Sequence, residues 1–443
     1  MRESAAPFSV RQQLLARLAD ARAQTDEIFR LVRPEALYER PIPERHRIVF
    51  YIGHLEAFDW NLIGSGFLGR EPFHASFDKL FAFGIDPVDG RLPTDQPADW
   101  PSLKEIRGYC ESVRSILDPC LEESSAGGQH GASREEDLKL NVAIEHRLMH
   151  AETLAYMLHE LPLSRKFPQA GAISPPGPVV VPWMVEIPAG TVTLGQARTP
   201  ESGFGWDNEF EAHTVAVPAF RIDAYKVTNR QFVEFLRARG YEERSLWTEP
   251  GWEWKTRDGI RHPIFWTPRG ESWHYRCMFE EIPLPLDWPV YVSRAEACAY
   301  AKWAGRSLPT EAQWHRAAYG TPGGSERPYP WGSEPPRAHH GNFDFHRWDP
   351  TPVGGHPAGR SAFRVADLVG NGWEWTSTPF SPFPGFNPFP FYPGYSANFF
   401  DRKHYVMKGG SARTAVCLLR RAFRNWFQPH YQYVYAGFRC VEN

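Results

Sequence analysis

The 443 residues are too many for one ordinary hydrophobic core and predict two or three domains. Hydrophobic residues make up 42% and charged residues 23%, and the formal net charge is -3, which indicates neither nucleic acid nor a membrane surface as a partner. No apolar run approaches the roughly 20 residues of a membrane span, and the amino-terminal segment lacks the apolar stretch of a signal peptide, so we expect a cytoplasmic protein.

Four segments in the first third of the chain have the apolar periodicity of amphipathic helices. They are residues 8–32, 47–68, 102–118 and 134–160. Ser133 is the expected N-cap of the fourth helix, and Asp118-Pro119 is the expected end of the third. Four helices with long connections predict a four-helix bundle, a fold whose core can hold a metal ion. We therefore assign residues 1–163 to a helical domain.

Residues 164–182 are rich in proline, glycine and alanine and predict a linker. After the linker, short alternating segments typical of strands replace the helical pattern, so residues 183–443 are predicted to form a separate domain and the whole chain to be of the α+β class. The predicted elements in this region are two strands, 181–187 and 191–194, and two helices, 228–239 capped by Thr228 and 293–304 capped by Ser293.

Three histidines are candidate metal ligands. His146 and His150 are four residues apart in the predicted helix 134–160, which places both imidazoles on one helical face. His54 lies in the apolar context IVFYIGHLEAFDWN and is the best candidate for a third ligand. Three imidazoles suit zinc, copper, iron or nickel and leave positions open for substrate. With 17 histidines in the chain, however, an HxxxH pair is more often an ordinary core or surface pair, as we expect for His159.

The second predicted domain carries ordered sequence motifs. They are VEIPAGTVTLG (185–195), AFRIDAYKVTNRQFVEFL (219–236), PVYVSRAEACAYAKWAGRSLPTEAQWHRAAYG (289–320), FRVADLVGNGWEWTSTPF (363–380) and the segment 405–440 from YVMKGGS to YAGFRC. These motifs resemble those of formylglycine-generating enzymes, which implies a C-type-lectin-like fold with little regular structure. Their residues are expected to be structural: Trp314, Trp373 and Trp375 as core anchors, Gly370, Gly409 and Gly410 in tight turns, and Arg424 and Arg439 as bridges between buried loops.

The cysteines disfavour the reaction of formylglycine-generating enzymes. That reaction needs two nearby thiols after the GGS motif; Cys417 stands at the first position, but Ala422 stands at the second. The resemblance therefore implies the fold without the thiol oxidation. The chain has no CxxC pair, and its cysteines are expected to be free thiols: Cys110, Cys120, Cys277, Cys298, Cys417 and Cys440.

The combination of the two predicted domains resembles one family in particular. A helical bundle with HxxxH and an upstream GH, joined to a domain like that of formylglycine-generating enzymes, is similar to the non-heme iron sulfoxide synthases of ergothioneine biosynthesis and the related selenoneine synthases. The resemblance implies a DinB-like bundle in which His54, His146 and His150 bind iron(II). It also implies that iron and O2 attach sulfur or selenium to the imidazole of hercynine, the trimethylated form of histidine.

The same resemblance implies roles for residues of the second domain. Tyr392, in the segment FPFYPGYSANFFD (389–401), is the expected proton donor. Asn425, in the segment FRNW, is expected to contact the carboxylate or the ammonium group of hercynine. Trp426 and Tyr395 are the expected aromatic partners of that quaternary ammonium, through cation–π attraction.

Two positions depart from the family members that use γ-glutamylcysteine. Phe427 replaces an aspartate that holds the amino group of that substrate, and Met149 replaces a glutamine that helps to position hercynine. Losing a buried carboxylate partner costs on the order of 2–5 kcal/mol. These departures, and the segment RHRIVFYIGHLEAFDWN, favour the selenoneine synthases, which couple a selenosugar without an ammonium group. The sequence thus predicts O2-dependent joining of a selenosugar to C2 of hercynine, with Phe427 and Met149 among the substrate-binding residues.

Three other functions remain open from the sequence. The first is an ergothioneine-pathway sulfoxide synthase that joins γ-glutamylcysteine or cysteine to hercynine. The second is a zinc-dependent thiol transferase of the DinB type, and the third is a lectin-like binding module without catalysis. In every case the expected partners are small molecules, with no nucleic acid and no membrane.

Overall fold

The computed structural model describes residues 9–82, 92–126, 134–169, 173–177 and 179–443. The chain divides into an N-terminal unit, Met1–Pro168, and a C-terminal unit, Gln169–Asn443, and this division falls inside the segment 164–182. Among the residues described, none of the helices combines the length and the hydropathy that a membrane span requires.

The described part of the N-terminal unit is helical. Its helices are α1 (Val10–Arg30), α2 (Ile48–Asp59), α3 (Ala75–Leu80), α4 (Leu103–Ala126) and α5 (Arg134–Glu160). Ser9 begins α1 with a capping box, in which its side chain accepts from the main-chain N–H of Gln12. A π-helical segment, Trp60–Ser65, continues α2. Helix α1 packs along α5 and α2 packs along α4, so the long helices bury their apolar faces against one another.

The helix predicted to end at Asp118-Pro119 continues to Ala126, so that prediction is wrong. A proline in a helix removes one main-chain hydrogen bond. Here Leu117 and Leu121, on either side of Pro119, are 0% and 2% exposed, and their burial outweighs that loss. Helix α3 was not predicted, and the predicted cap Ser133 and the first residue of the segment 8–32 lie outside the described residues.

The C-terminal unit contains short strands, as its alternating segments predict. In chain order they are β1 (Met184–Ile187), β2 (Gly190–Leu194), β3 (His213–Val217), β4 (Phe220–Asp223), β5 (Trp266–Arg269), β6 (Ser272–Arg276), β7 (Glu281–Pro283), β8 (Trp373–Pro379), β9 (Tyr405–Lys408), β10 (Asn425–Phe427), β11 (Ala436–Gly437) and β12 (Val441–Glu442). They pair as small sheets with the orders β1-β4-β12, β10-β9-β8-β11, β2-β3 and β5-β6-β7. Strand β12 pairs with β4, so the last residues of the chain return to its first sheet.

Helices α6 (Asn229–Arg237), α7 (Glu249–Arg257), α8 (Arg294–Trp303) and α9 (Glu311–Tyr319) complete the regular structure described in this unit. The predicted N-caps Thr228 and Ser293 are confirmed, because each side chain accepts the main-chain N–H three residues ahead. Helices α7 and α9 were not predicted; their caps, Thr248 and Thr310, are local signals that the sequence does offer.

The structural residues predicted from the motifs are confirmed. Trp314, Trp373 and Trp375 are at most 2% exposed, and the six cysteines are free thiols. The predicted glycines have positive φ angles: 83° at Gly370, 104° at Gly409 and 133° at Gly410. The irregular segments between the strands therefore turn where the glycines allow it and pack on buried tryptophans.

Candidate metal centre

Helices α2 and α5 bring the three predicted ligand histidines together. Ring nitrogens of His54, His146 and His150 lie within 4.8 Å of one another, and all three residues are buried. Nε2 of His150 lies 3.1 Å from Nε2 of His146. The ring centroid of His54 lies 5.2 Å from that of His146 and 5.0 Å from that of His150. A third nitrogen, from a different helix, thus joins the pair that the i,i+4 spacing places on one face.

The orientation of His54 leaves one nitrogen available for a metal. Its Nδ1–H donates to the main-chain carbonyl oxygen of Phe81 at 2.7 Å. Because a carbonyl oxygen only accepts, the lone pair of the neutral ring lies on Nε2. This Nε2 is buried and has no hydrogen-bond partner among the described residues. A buried polar atom of this kind costs free energy unless it is satisfied, and a metal ion would satisfy it.

Gly53 explains why His54 can make that hydrogen bond. A Cβ atom at Gly53 would lie 2.5 Å from the ring of Phe81, closer than any real contact allows. A side chain here would push Phe81 away, and with it the carbonyl that fixes His54. Sequence reasoning treated Gly53 only as part of the GH motif and missed Phe81, whose main-chain atom leaves no trace in the sequence.

Aromatic rings pack directly on the candidate ligands. The ring of Phe58 stacks on His146 at a centroid distance of 3.5 Å and an angle of 11°. The ring of Phe50 stacks on His54 at 4.8 Å and 24°. These contacts restrict rotation of the imidazoles and exclude water from their faces.

All three imidazoles are neutral at pH 7. Burial lowers the pKa of His54 to about 4, although its hydrogen bond to Phe81 acts in the opposite direction. Burial also lowers the pKa of His146 and of His150 well below the ordinary value, and repulsion within the cluster adds to the effect. Neutral imidazole is the form that binds a metal. The donor set therefore fits a transition metal such as iron, zinc, copper or nickel, and leaves coordination positions for other molecules.

A second cluster, Glu334, His339 and His340, does not fit a metal site as well. Nδ1 of His340 accepts the main-chain N–H of Arg337 at 3.2 Å. The proton of the neutral ring is then on Nε2, the nitrogen that faces Glu334 at 3.6 Å. Arg337 also pairs with Glu334, at 3.2 Å. Glu334 is therefore better described as the partner of Arg337 in an ion pair and as a neighbour of the neutral His340 ring.

Of the residues predicted to act in the C-terminal unit, Tyr392, Tyr395 and Trp426 share one aromatic cluster. The ring of Tyr395 lies 5.6 Å from that of Tyr392 and 5.4 Å from that of Trp426. Trp206 stacks on Tyr395 at 3.9 Å and 22°. Sequence reasoning missed Trp206, which lies almost 190 residues away along the chain.

Asn425, Trp426 and Phe427 form strand β10, but the two aromatic side chains have different neighbours. Trp426 stacks on Phe380 at 4.2 Å and 8°, whereas Phe427 stacks on Tyr431 at 4.8 Å and 17°. Side chains alternate between the two faces along a strand, which explains this separation. Met149, in the N-terminal unit, lies on α5 directly before His150 and is partly buried.

Asp207 holds the segment that carries the two tyrosines. It is fully buried, and the hydroxyl of Ser396 donates to its Oδ1 at 2.5 Å. Burial raises the pKa of Asp207 to about 6. Burial and then the charge of Asp207 raise the pKa of Tyr392 to about 12, so the phenol of Tyr392 keeps its proton at neutral pH.

Comparison with known proteins covers both units. Residues 171–443 match the family model described as a sulfatase-modifying factor enzyme 1-like domain. The chain is 33% identical to a hercynine oxygenase of Mycolicibacterium thermoresistibile, over 97% of this chain and 95% of that protein. It is 38% identical to a hercynine oxygenase of Mycobacterium tuberculosis, over 79% of each protein. It is 29% identical to ergothioneine biosynthesis protein 1 of Neurospora crassa, over 95% of this chain and 56% of that protein.

The chain combines a helical unit that holds a buried three-histidine cluster with a sulfatase-modifying factor domain. Its similarity to hercynine oxygenases places it in a class of mixed helix-and-sheet enzymes that use oxygen. The chain belongs to the ergothioneine sulfoxide synthase family. The family predicted from the sequence motifs is therefore confirmed at this level.

Proposed function

We propose that this chain is an iron(II)- and O2-dependent enzyme that joins a thiol, γ-glutamylcysteine or cysteine, to C2 of the hercynine imidazole. The observation that carries the proposal is the buried cluster of His54, His146 and His150, whose nitrogens converge in neutral form. The relatives named hercynine oxygenase support the choice of hercynine and O2 as substrates. A thiol S–H, an imidazole C2–H and O2 give a C–S bond with one oxygen on sulfur, and one water.

In this proposal the N-terminal unit is a DinB-like bundle and residues 164–182 are the linker between two domains. His54, His146 and His150 would hold iron(II), which when bound supplies the reduction of O2. The carbonyl of Phe81 keeps His54 in the tautomer that a metal requires. Met149, next to His150, contributes to the hercynine pocket.

The C-terminal unit supplies the remaining roles. Tyr392 is the proton donor, and its raised pKa keeps the proton on the phenol until it is needed. Trp426 and Tyr395 present aromatic faces to the trimethylammonium group, and Asn425 hydrogen-bonds the hercynine carboxylate. Phe427 forms part of the pocket for the chalcogen donor.

The proposal is tested by removing one ligand histidine. We expect His150→Ala to lose stoichiometric iron(II) binding in an anaerobic titration and to lose product formation. His159→Gln is the matched control, because His159 is a buried histidine of the same helix outside the cluster, and it should keep both properties. A His150→Ala protein that binds one iron and turns over would refute the proposal.

Metal analysis separates this proposal from a zinc-dependent thiol transferase. Protein purified without added metal and then supplied with iron(II) should consume O2 only when hercynine and a thiol are both present. Zinc-loaded protein should consume none. Thiol transfer by the zinc form without O2 uptake would favour the transferase, and absence of any reaction with either metal would favour a binding module.

A selenosugar is the second candidate for the chalcogen donor, and Phe427 is the observation that favours it. The ring of Phe427 stacks on Tyr431, and a phenyl ring at this position offers no carboxylate of its own to an amino group. A selenosugar carries no ammonium group and needs no such partner. The test offers hercynine with a selenosugar or with γ-glutamylcysteine, using wild type and Phe427→Asp. Faster use of γ-glutamylcysteine by the wild type would exclude the selenium assignment.

A further inference from the structure

A buried ion network joins α2 to α5 close to the three histidines. Arg147 follows His146 directly in α5. Its Nη1 donates to Oε1 of Glu56 at 3.0 Å, and its Nη2 donates to Oδ2 of Asp59 at 2.8 Å. The same Nη2 donates to the main-chain carbonyl oxygen of Leu55 at 3.0 Å. Arg147, Glu56 and Asp59 are each 1% exposed.

One arginine on α5 therefore contacts three points of α2, and all three lie within five residues after His54. The guanidinium group is planar and its donors have fixed directions, so this contact defines both the distance and the rotation of α2 relative to α5. Helix α2 carries His54, and α5 carries His146 and His150. The same contact therefore defines where the third nitrogen lies relative to the other two.

Two further helices, α1 and α4, also contact these carboxylates. Arg114 on α4 donates to Glu56 at 2.6 Å and to Asp26 on α1 at 2.7 Å. Arg22 on α1 lies 3.4 Å from Asp59. Each central carboxylate thus meets two guanidinium groups, Glu56 those of Arg147 and Arg114, and Asp59 those of Arg147 and Arg22. None of these contacts touches the histidines themselves.

Stability alone does not account for this network. A buried ion pair contributes little more to stability than apolar side chains of similar volume, but it demands one definite arrangement of its partners. We propose that Arg147, Glu56 and Asp59 are positioning residues that fix the register of α2 against α5, and thereby place His54 opposite His146 and His150. This inference rests on the proposed function, because it assumes that the three histidines hold a metal.

The test removes the central pair while keeping the remaining charges paired. Arg147→Met with Glu56→Gln takes away one positive and one negative charge and leaves the pairs of Arg22 with Asp59 and of Arg114 with Asp26. Anaerobic cobalt(II) titration measures metal affinity, and the cobalt absorption spectrum reports the coordination geometry. We expect a folded protein, by circular dichroism, whose cobalt affinity falls by about ten-fold or more and whose spectrum changes.

Arg11→Met with Asp137→Asn is the control, because it also removes an ion pair between two helices, α1 and α5, but Asp137 lies ten residues before Arg147 along α5. This control should keep its cobalt affinity within about two-fold. If the central double variant does not fold, Arg147→Lys keeps the charge but loses the two-point contact, and we expect a three-fold or larger loss of affinity. A folded variant of either kind with wild-type affinity and spectrum would overturn the inference. Wild-type protein that binds no cobalt would instead contradict the proposed function.

Discussion

In the described part of the N-terminal unit, the most deeply buried guanidinium group, that of Arg147, mainly joins one helix to another, whereas the buried cations Arg439, Arg424 and Lys408 of the C-terminal unit bond several main-chain carbonyls of irregular segments. Arg147 mainly contacts the carboxylates of Glu56 and Asp59. Arg439 pairs with Glu374 at 2.6 Å but also donates to the carbonyl oxygens of Asp223 and Ala366, each at 2.9 Å.

The difference follows from how each unit satisfies its backbone. A helix pairs its own N–H and C=O groups, so its buried side chains are available for other tasks, such as ligating a metal. A loop leaves carbonyls without partners, and a buried carbonyl needs a donor. Arg424 supplies one to Ser381 at 3.0 Å, and Lys408 supplies one to Arg421 at 3.0 Å. Buried cations in the C-terminal unit are therefore required for the fold itself.

The largest expected effect would come from removing one of those cations. Arg439→Met leaves Glu374 with one cationic partner, Lys226, and two carbonyls without a donor, so we expect the unfolding free energy of this unit to fall by about 3–5 kcal/mol. Arg221→Met is the control, because its pair with Glu442 is exposed and should contribute less than about 1 kcal/mol. Urea unfolding measures both. Equal losses in the two variants would remove the proposed distinction between the units.

Metal addition should act on the N-terminal unit alone. Free cobalt(II) at about 100 times its dissociation constant should stabilise that unit by about 2.7 kcal/mol through mass action. Hydrogen exchange read by mass spectrometry should show this protection in peptides of α2 and α5, and none in peptides of β8 and β9. His150→Ala should abolish it. Equal protection in both units would show that the metal effect does not belong to the histidine cluster.

Asp207 is a buried carboxylate that is held by the Ser396 hydroxyl and by main-chain N–H groups of Asn208 and Phe389. Its folded pKa, about 6, lies above the ordinary value of 3.8, so the protonated form is favoured in the folded state. The stabilisation is fully present below pH 3.8 and is lost as the pH rises through 6. Relative to Asp207→Asn, wild type should therefore lose about 2 kcal/mol of unfolding free energy between pH 4 and pH 7. A difference that stays constant over this range would show that Asp207 is not buried as described.

The smallest expected effect concerns Gly53. Gly53→Ala inserts a methyl group into the ring of Phe81, and we expect the N-terminal unit to lose about 1 kcal/mol after the gain in helix propensity is included. Gly108→Ala, in α4, is the control: its Cβ meets no atom within 4 Å and should stabilise the helix by up to about 1 kcal/mol. Thermal melts of the metal-free proteins measure both. If both substitutions raised the melting temperature, or both lowered it, the described contact of Gly53 with Phe81 would be contradicted.

The sequence predicted what is set by neighbouring residues. The caps Thr228 and Ser293 act over three residues, and the HxxxH pair over four, so each leaves a local pattern. The π-helical continuation of α2 and the passage of α4 through Pro119 left no such pattern, because tertiary packing decides them. Short helices such as α3 gave too few periodic positions to recognise.

The candidate site was predictable only in part, because some of its contacts join residues that are far apart in the chain. His54 could be joined to the HxxxH pair through the family resemblance, but nothing in the sequence indicates that Arg147 meets Glu56, 91 residues away. The carbonyl of Phe81 is a main-chain atom and has no residue signature. Partners that are distant in the chain, or that act through the backbone, become visible only in three dimensions.

The π-helical segment Trp60–Ser65 has a consequence for how the family can vary in length. A turn with i→i+5 hydrogen bonds holds one residue more than an α-helical turn. Losing one residue from this segment would restore an ordinary α-helix and leave residues 48–59 in place, His54 included. An insertion or deletion before His54 would instead rotate it by about 100° relative to the start of its helix. We therefore expect a one-residue deletion within Trp60–Ser65 to be tolerated better than an insertion or deletion before His54.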